Sequence, residues 1–489
     1  MAYSIVIYSK YAIVLFQFLF LVCGIYALGK KKAGQEKRAA VWQSVFLFLM
    51  QFCAYLTIVI RTQRMEYLIF YLFLQILTLA LPLLAYFIYP GINRCVLNDM
   101  SMMLSAGMIV LVRLDIKKAS KQLVIAMVSY LLLLAVPWLV KRFRTVLRNL
   151  GWMCCVAGTA ALVAVLILGQ VTHGSKLSWT IAGITFQPSE FVKILYVFFI
   201  ASVLADGTDF KRVLLAGAGA GVQVLALVLS KDLGSALILF AVYVFMITIA
   251  AHQPLYLAGG ALAGAGASFA AWKMFSHVQV RVQAWKDPWS VIDSQGYQIT
   301  QSLFAIGRGG LFGQGIGKGT PRDIPYVETD FIFAALAEEM GLLFGIGILL
   351  TAVLLFLSVM RLAAGLADGF YRNLAVGFGM MYIFQTFLTV GGGTKFIPLT
   401  GVTLPFISYG GSSVMSMILI FAVLEGIWQM RYEEELKIEK QKRKKQLKKE
   451  EYVLFESGAV WLCSTDGLPS CRDDGLSYGL CYVQSGDTF

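Results

Sequence analysis

Apolar stretches of about twenty residues recur along the chain, each followed by a short polar or charged segment. A helix rises ~1.5 Å per residue, so each stretch can cross a hydrocarbon core of ~30 Å. Thirteen spans are expected, near residues 11–28, 42–60, 66–89, 97–113, 122–140, 151–170, 188–205, 212–229, 233–251, 254–274, 331–358, 373–393 and 410–430. The stretch 97–113 is the weakest of them, being short and closed by Arg113. The pattern predicts an all-α polytopic membrane protein. It has an extension of about three helices at 1–96, a helical core at 97–431 and a charged tail at 432–489. Composition agrees: 58% of the 489 residues are hydrophobic and 14% charged, where a soluble protein carries far more charge. No basic segment precedes the first apolar run and no A-x-A site ends it, so residues 1–30 read as a span rather than a cleaved signal.

Charge orients the spans. The densest basic segments are KKKAGQEKR at 30–38, KRFRTVLR at 141–148 and the tail beyond Arg431. Lys and Arg concentrate in cytoplasmic loops. Thirteen spans put all three segments on that side, with the C-terminus cytoplasmic and the N-terminus outside. The loops at 171–187, 275–330 and 394–409 then face outward, as irregular segments able to carry chemistry. The net charge of +13 is read as topology signals beside anionic lipid, not as a nucleic-acid surface. Of eight cysteines, no pair occupies an outward loop, so no disulfide is expected. The tail segment 451–489 shows no periodicity that assigns it a fold.

Several outward segments carry candidate chemistry. The glycine-dense GRGGLFGQGIGKGT at 307–320 fails as a P-loop, because Gly317-Lys318 is followed by Gly319 and Phe312 occupies the first glycine position. Its glycines still let backbone amides approach a ligand, and Arg308 and Lys318 add charge suited to a lipid-linked pyrophosphate. In QPSEFVK, Pro188 and Glu190 suit a helix start, and Lys193 lies inside the apolar run, in reach of Glu190 on the same face. Asp232 reads as an N-cap. In LPFISYGGSS, the proline, glycines and serines suggest a broken helix start lining a cavity.

Asp330 stands at the head of the apolar run 331–358 as an apparent N-cap. Glu338 follows eight residues later, ~12 Å along a helix. Glu338 and Glu339 then need a polar cavity or a basic partner, for which Lys193, Lys231 and Lys395 are candidates. The three histidines, His173, His252 and His277, form no ligand cluster.

Together QPSEFVK, DLGSA, GYQITQSLFAIGRGGLFGQGIGKG, TDFIFAALAEEMG and LPFISYGGSS resemble, in order, the motifs of the SEDS family (shape, elongation, division and sporulation; FtsW, RodA, SpoVE). The resemblance covers roughly 97–431 and implies a ten-span core, matching the last ten spans. It implies a peptidoglycan glycosyltransferase in the bacterial cytoplasmic membrane, polymerising lipid II at the outer face beside a class B penicillin-binding transpeptidase. It implies that Asp330 is the catalytic residue, and that Glu190, Lys193, Glu338 and Trp179 match the family's motif positions. The usual basic residue before that tryptophan is Ser178 here, with Lys176 as its substitute. Asp232, Arg308, Lys318, Ser408 and Ser412 complete the candidate substrate-binding set, and a divalent cation (Mg or Mn) is the candidate cofactor. The extra N-terminal spans, the external N-terminus and the long tail depart from the family pattern. Rival readings are a flippase for lipid-linked precursors and a non-catalytic scaffold.

Overall fold

A computed structural model describes residues 2–29, 33–172, 175–181 and 184–456. His173, Cys463, Cys471 and Cys481 lie outside the described residues, as does the tail from 457. The extension consists of α1 (Ala2–Gly29), α2 (Ala33–Thr62) and α3 (Glu66–Gln75), the last continuing through a π turn (Ile76–Ala80) into α4 (Leu81–Ile88). The π turn accommodates Pro82, which has no N–H to offer the helix ladder. Next come α5 (Arg94–Leu114), α6 (Ile116–Arg142), the short α7 (Arg144–Asn149) and α8 (Gly151–Leu168). Three short strands follow, β1 (Gln170–Thr172), β2 (Ser175–Ile181) and β3 (Ile184–Phe186), then α9 (Pro188–Ala205), α10 (Phe210–Leu229), α11 (Leu233–Ala251) and α12 (Pro254–Met274). The segment beyond holds α13 (Ser276–Lys286) and α14 (Tyr297–Gly309), then α15 (Ile332–Met340), α16 (Leu342–Ala364), α17 (Gly369–Gly393) and α18 (Gly411–Glu456). Thirteen helical stretches are long and apolar enough to cross a membrane, as expected. The chain divides into compact units at 1–433 and 434–489; in the second, the described residues continue α18 to Glu456.

Three expectations are corrected. The stretch taken as the weakest span is the central helix: α5 is buried along its membrane-crossing length, against α2, α6, α15 and α16. Polar side chains on it bond to neighbouring helices instead of meeting lipid. Asn98 donates to the Ala40 carbonyl (2.8 Å), and Gln43 donates to Asp99 (3.2 Å). Gly107 lets the chain pass so close that a Cβ there would stand 2.3 Å from the Ile407 oxygen. Second, the loop before QPSE is not irregular: β1, β2 and β3 pair antiparallel in sequence order, with Trp179 opposite Phe186.

Third, the run 331–358 is not one helix. It breaks at Gly341 (φ +95°), where α15 ends and α16 begins. The break lets Leu342 donate to the Gly310 carbonyl (2.9 Å) and Leu343 to Leu311 (3.1 Å). Asp330 does not cap α15 either; Phe331 holds that position, without a side-chain cap.

Cross-helix contacts define two ends of the bundle. At one, Arg361 donates to the Leu28 carbonyl, Tyr371 to Arg144, and Lys141 pairs with Glu433. At the other, Lys10 reaches Gly313, Arg61 reaches Ile316, and Trp285 reaches the Lys395 carbonyl. All candidate chemistry from the loops gathers toward this second end.

At Gly341 the positive φ and a Cβ position 2.4 Å from the Gly313 nitrogen leave no room for a side chain. Gly341→Ala is expected to destabilise the protein by at least about 1–3 kcal/mol of backbone strain. Thermal unfolding in detergent measures it, against Gly221→Ala, a helical position with open space around it.

Candidate functional site

Glu338 and Glu339 end α15 fully buried. Their partners are not the three lysines expected from the sequence. The glycine loop folds over them. The Thr320 amide donates to Glu338 Oε1 and the Gly317 amide to Glu339 Oε1, each at 3.1 Å. Arg308 stands 3.2 Å from Glu338 and Arg113 3.5 Å from Glu339. The Gln314 and Gly315 amides donate to the backbone carbonyls of the same two residues, each at 2.9 Å. Positive φ at Gly313, Gly315 and Gly317 turns successive amides toward α15, which only glycine does without strain. Burial pushes the Glu339 carboxyl up to about 7, with Arg113 and the Gly317 amide pulling it down. Lys318 is an exposed residue of this loop.

A second cluster forms where α9 begins. Lys193 is fully buried and donates to Glu190 (2.8 Å) and Gln385 (2.9 Å). Glu190 also accepts from Ser416 (3.0 Å). The ion pair expected within QPSEFVK is therefore formed, with all its charge met by side chains. Asp232 caps α11 through the Ser235 amide (3.1 Å), and its second oxygen lies 3.4 Å from the Ser189 hydroxyl. Burial raises the Asp232 carboxyl, against the Ser235 amide and Lys193. Ser412 accepts the Gln187 amide (3.0 Å), which ties the start of α18 to that of α9.

A polar column joins this cluster to Asp330. Gln385 passes the contact on to the Thr403 carbonyl (3.0 Å), and Thr403 meets Ser413 (2.7 Å). Ser408 accepts from the Leu404 amide (2.9 Å) and donates to the Thr329 carbonyl, next to Asp330. Asp330 itself is half-buried, in a turn whose amide donates to Tyr326 (3.2 Å). A Cβ on Gly401 (φ +74°) would stand 3.9 Å from Asp330 Oδ2 and 3.5 Å from Arg281 Nη2, so the carboxylate and the guanidinium flank one bare glycine. Arg281 is oriented by the Leu399 and Thr400 carbonyls (3.3 and 3.1 Å). His277 lies near it, its imidazole held below the usual range by burial and by the charges of Arg281 and Lys231. Lys118 pairs with Glu328, two residues before Asp330.

Glu338 and Arg308 thus fall in one cluster and Glu190, Lys193, Asp232 and Ser412 in another, with Asp330 linked toward the second through the Thr329 carbonyl and Ser408. Trp179 is partly buried on β2, and the side chain of Lys176 lies outside the described residues. Sequence reasoning missed Arg281, Arg113, Gln385 and Lys118. A lone amide inside the apolar run IFQTF could have flagged Gln385. Arg281 sits in VQVRVQAWKD, where no pattern distinguishes it from a surface cation.

The family model described as "Cell cycle protein", of FtsW, RodA and SpoVE, matches residues 93–433. The chain belongs to the FtsW/RodA/SpoVE family. It is 32% identical over 371 residues to the peptidoglycan glycosyltransferase RodA of Mycobacterium tuberculosis, covering 69% of this chain and 78% of that one. It is 35% identical over 274 residues to stage V sporulation protein E of Bacillus subtilis, covering 54% and 74%. Its fold is similar to a chain in a solved peptidoglycan synthase complex, with TM-score 0.61 and 24% identity over 70% of this chain and 98% of that one. In this FtsW/RodA/SpoVE protein the family match begins at the α4–α5 junction, which leaves the extension outside it.

Lys193→Met strands Glu190 as a buried, uncompensated carboxylate, and a loss of about 3–5 kcal/mol is expected. Adding Glu190→Gln removes that charge and should recover most of the loss. Denaturation midpoints of the two single variants and the double variant in detergent close the cycle.

Proposed function

We propose that this chain polymerises lipid II into glycan strands at the outer face of the cytoplasmic membrane, with Asp330 as general base. The chain is a peptidoglycan glycosyltransferase by its relationship to RodA, FtsW and stage V sporulation protein E. The basic segments lie at the bundle end opposite the glycine loop, which supports an outward site and a cytoplasmic C-terminus.

One observation carries the residue assignment: Asp330 is a half-buried carboxylate beside Arg281 across Gly401, at the bundle end that gathers the long loop. The acceptor is the 4-hydroxyl of a terminal N-acetylglucosamine. Its oxygen attacks C1 of the N-acetylmuramic acid of the donor, and the bond from C1 to the polyprenyl pyrophosphate breaks. Asp330 takes the hydroxyl proton as the new bond forms. The leaving pyrophosphate carries negative charge, and Arg281 and Lys231 supply the positive field beside Asp330. Lys318, exposed on the glycine loop, is a further candidate cation, while Arg308 at the end of α14 is paired with Glu338. Among the described residues no three His, Cys, Asp or Glu side chains group as metal ligands, so no step is assigned to a cation. A class B penicillin-binding transpeptidase is the proposed partner; a structural relative acts in a synthase complex that couples polymerization to crosslinking.

Purified protein and labelled lipid II in detergent test this reading. Wild type is expected to make glycan polymer. Asp330→Asn is expected to make none while keeping the wild-type thermal midpoint. Normal polymer from the variant refutes the role of Asp330. A wild-type protein that moves lipid II across vesicles without polymerising it favours a flippase instead.

A further inference from the structure

The extension formed by α1 to α4 lies outside the family match, and two of its cations reach into the glycine loop. Lys10, near the start of α1, donates to the Gly313 carbonyl (3.0 Å). Arg61, at the end of α2, donates to the Ile316 carbonyl (2.8 Å). These helices run in opposite senses, so the start of one and the end of the other arrive at the same end of the bundle. Arg113 of α5 adds a third contact, to the Gly317 carbonyl (3.3 Å). The ring of Tyr11 packs on Phe312, with centroids 5.1 Å apart, and Gln17 donates to the Phe344 carbonyl just past the helix break (3.0 Å).

The loop backbone therefore has two edges. Its amides at 314, 315, 317 and 320 face the end of α15, and its carbonyls at 313, 316 and 317 face cations. Glycines with positive φ would leave such a ribbon mobile if one edge were unbound. Two of the three cations on the carbonyl edge come from the extension.

We propose that the extension is a built-in brace for the glycosyltransferase site, with Lys10 and Arg61 as positioning residues that fix the loop bearing Lys318, which follows Arg308 at the end of α14. The proposal rests on the function given above. Neither residue touches substrate. Each acts through the loop, which also grips α15, the helix that begins two residues after Asp330.

The test uses the full-length protein with Lys10→Met combined with Arg61→Gln. Amide hydrogen exchange across 313–320 requires no substrate, and steady-state polymerisation of lipid II reads the site. Loss of two charge-assisted bonds is expected to speed loop exchange by at least about tenfold, with a similar rise in KM for lipid II. The kcat should stay near wild type, because Asp330 is untouched. Lys10→Arg with Arg61→Lys keeps both donors and should restore exchange and KM together. Lys10→Met alone, a milder change, should give an intermediate value of each. Unchanged loop exchange in the double variant overturns the proposal. Faster exchange with an unchanged KM also overturns it, since the extension would then be stabilising alone. If wild-type protein makes no glycan, the glycosyltransferase reading fails, and the exchange data still decide whether the brace exists.

Discussion

A carboxylate inside a helical membrane bundle is tolerated where donors converge on it, because hydrocarbon offers none. Glu338 and Glu339 impose that condition on the chain around them. Their side chains take two loop amides and two arginines, and their backbone carbonyls take two more amides. To deliver those amides the loop needs glycine at successive left-handed positions. To make room for the loop the following helix must break, at Gly341. The glycine density of 307–320 and the irregularity after Met340 are two sides of one requirement.

Glu190 meets the same requirement differently. It receives a lysine from its own helix, one turn on, and a serine from α18. Lys193 in turn spends a second bond on Gln385 of α17. Removing both charges from such a pair is often harmless to stability, whereas removing one is not. A structural role alone therefore explains the arrangement weakly. Gln385 and the 403–408 segment connect it by hydrogen bonds to the backbone beside Asp330.

Hydrophobic periodicity made the thirteen spans legible, since each needs length and apolar content, which are local properties. The rank of α5 was not legible, because its shortness and closing Arg113 speak against a lipid-facing span, whereas α5 is packed against protein. The pairing of Glu190 with Lys193 could be read from their spacing on one helix. The partners of Glu338 and Glu339 could not: Arg113 lies more than two hundred residues away, and a backbone amide has no sequence signature. Arg308 lies within the quoted glycine motif, yet linking it to Glu338 needed the helix break, which the apolar run concealed. The external candidates Lys231 and Lys395 were reasonable by charge and wrong by geometry. Lys395 instead offers its carbonyl to Trp285.

The acidic residues differ in how far an incoming hydroxyl could reach them. A general base must be reached by its substrate. Glu190, Glu338 and Glu339 are sealed from solvent, and internal donors engage at least one oxygen of each; Glu338 Oε2 has no hydrogen-bond partner but lies buried, out of reach of a substrate. Asp232 spends one oxygen on its helix cap and lies beside Ser189. Glu328 is drawn to Lys118. Asp330 differs in place: it is half-buried in a turn, and its carboxylate lies beside Gly401, which has no side chain. A Cβ at position 401 would stand within 4 Å of both the Asp330 carboxylate and the Arg281 guanidinium, so a larger side chain there would crowd both groups, and the bare glycine is compatible with the proposed pairing of a proton acceptor with a cation for an anionic leaving group.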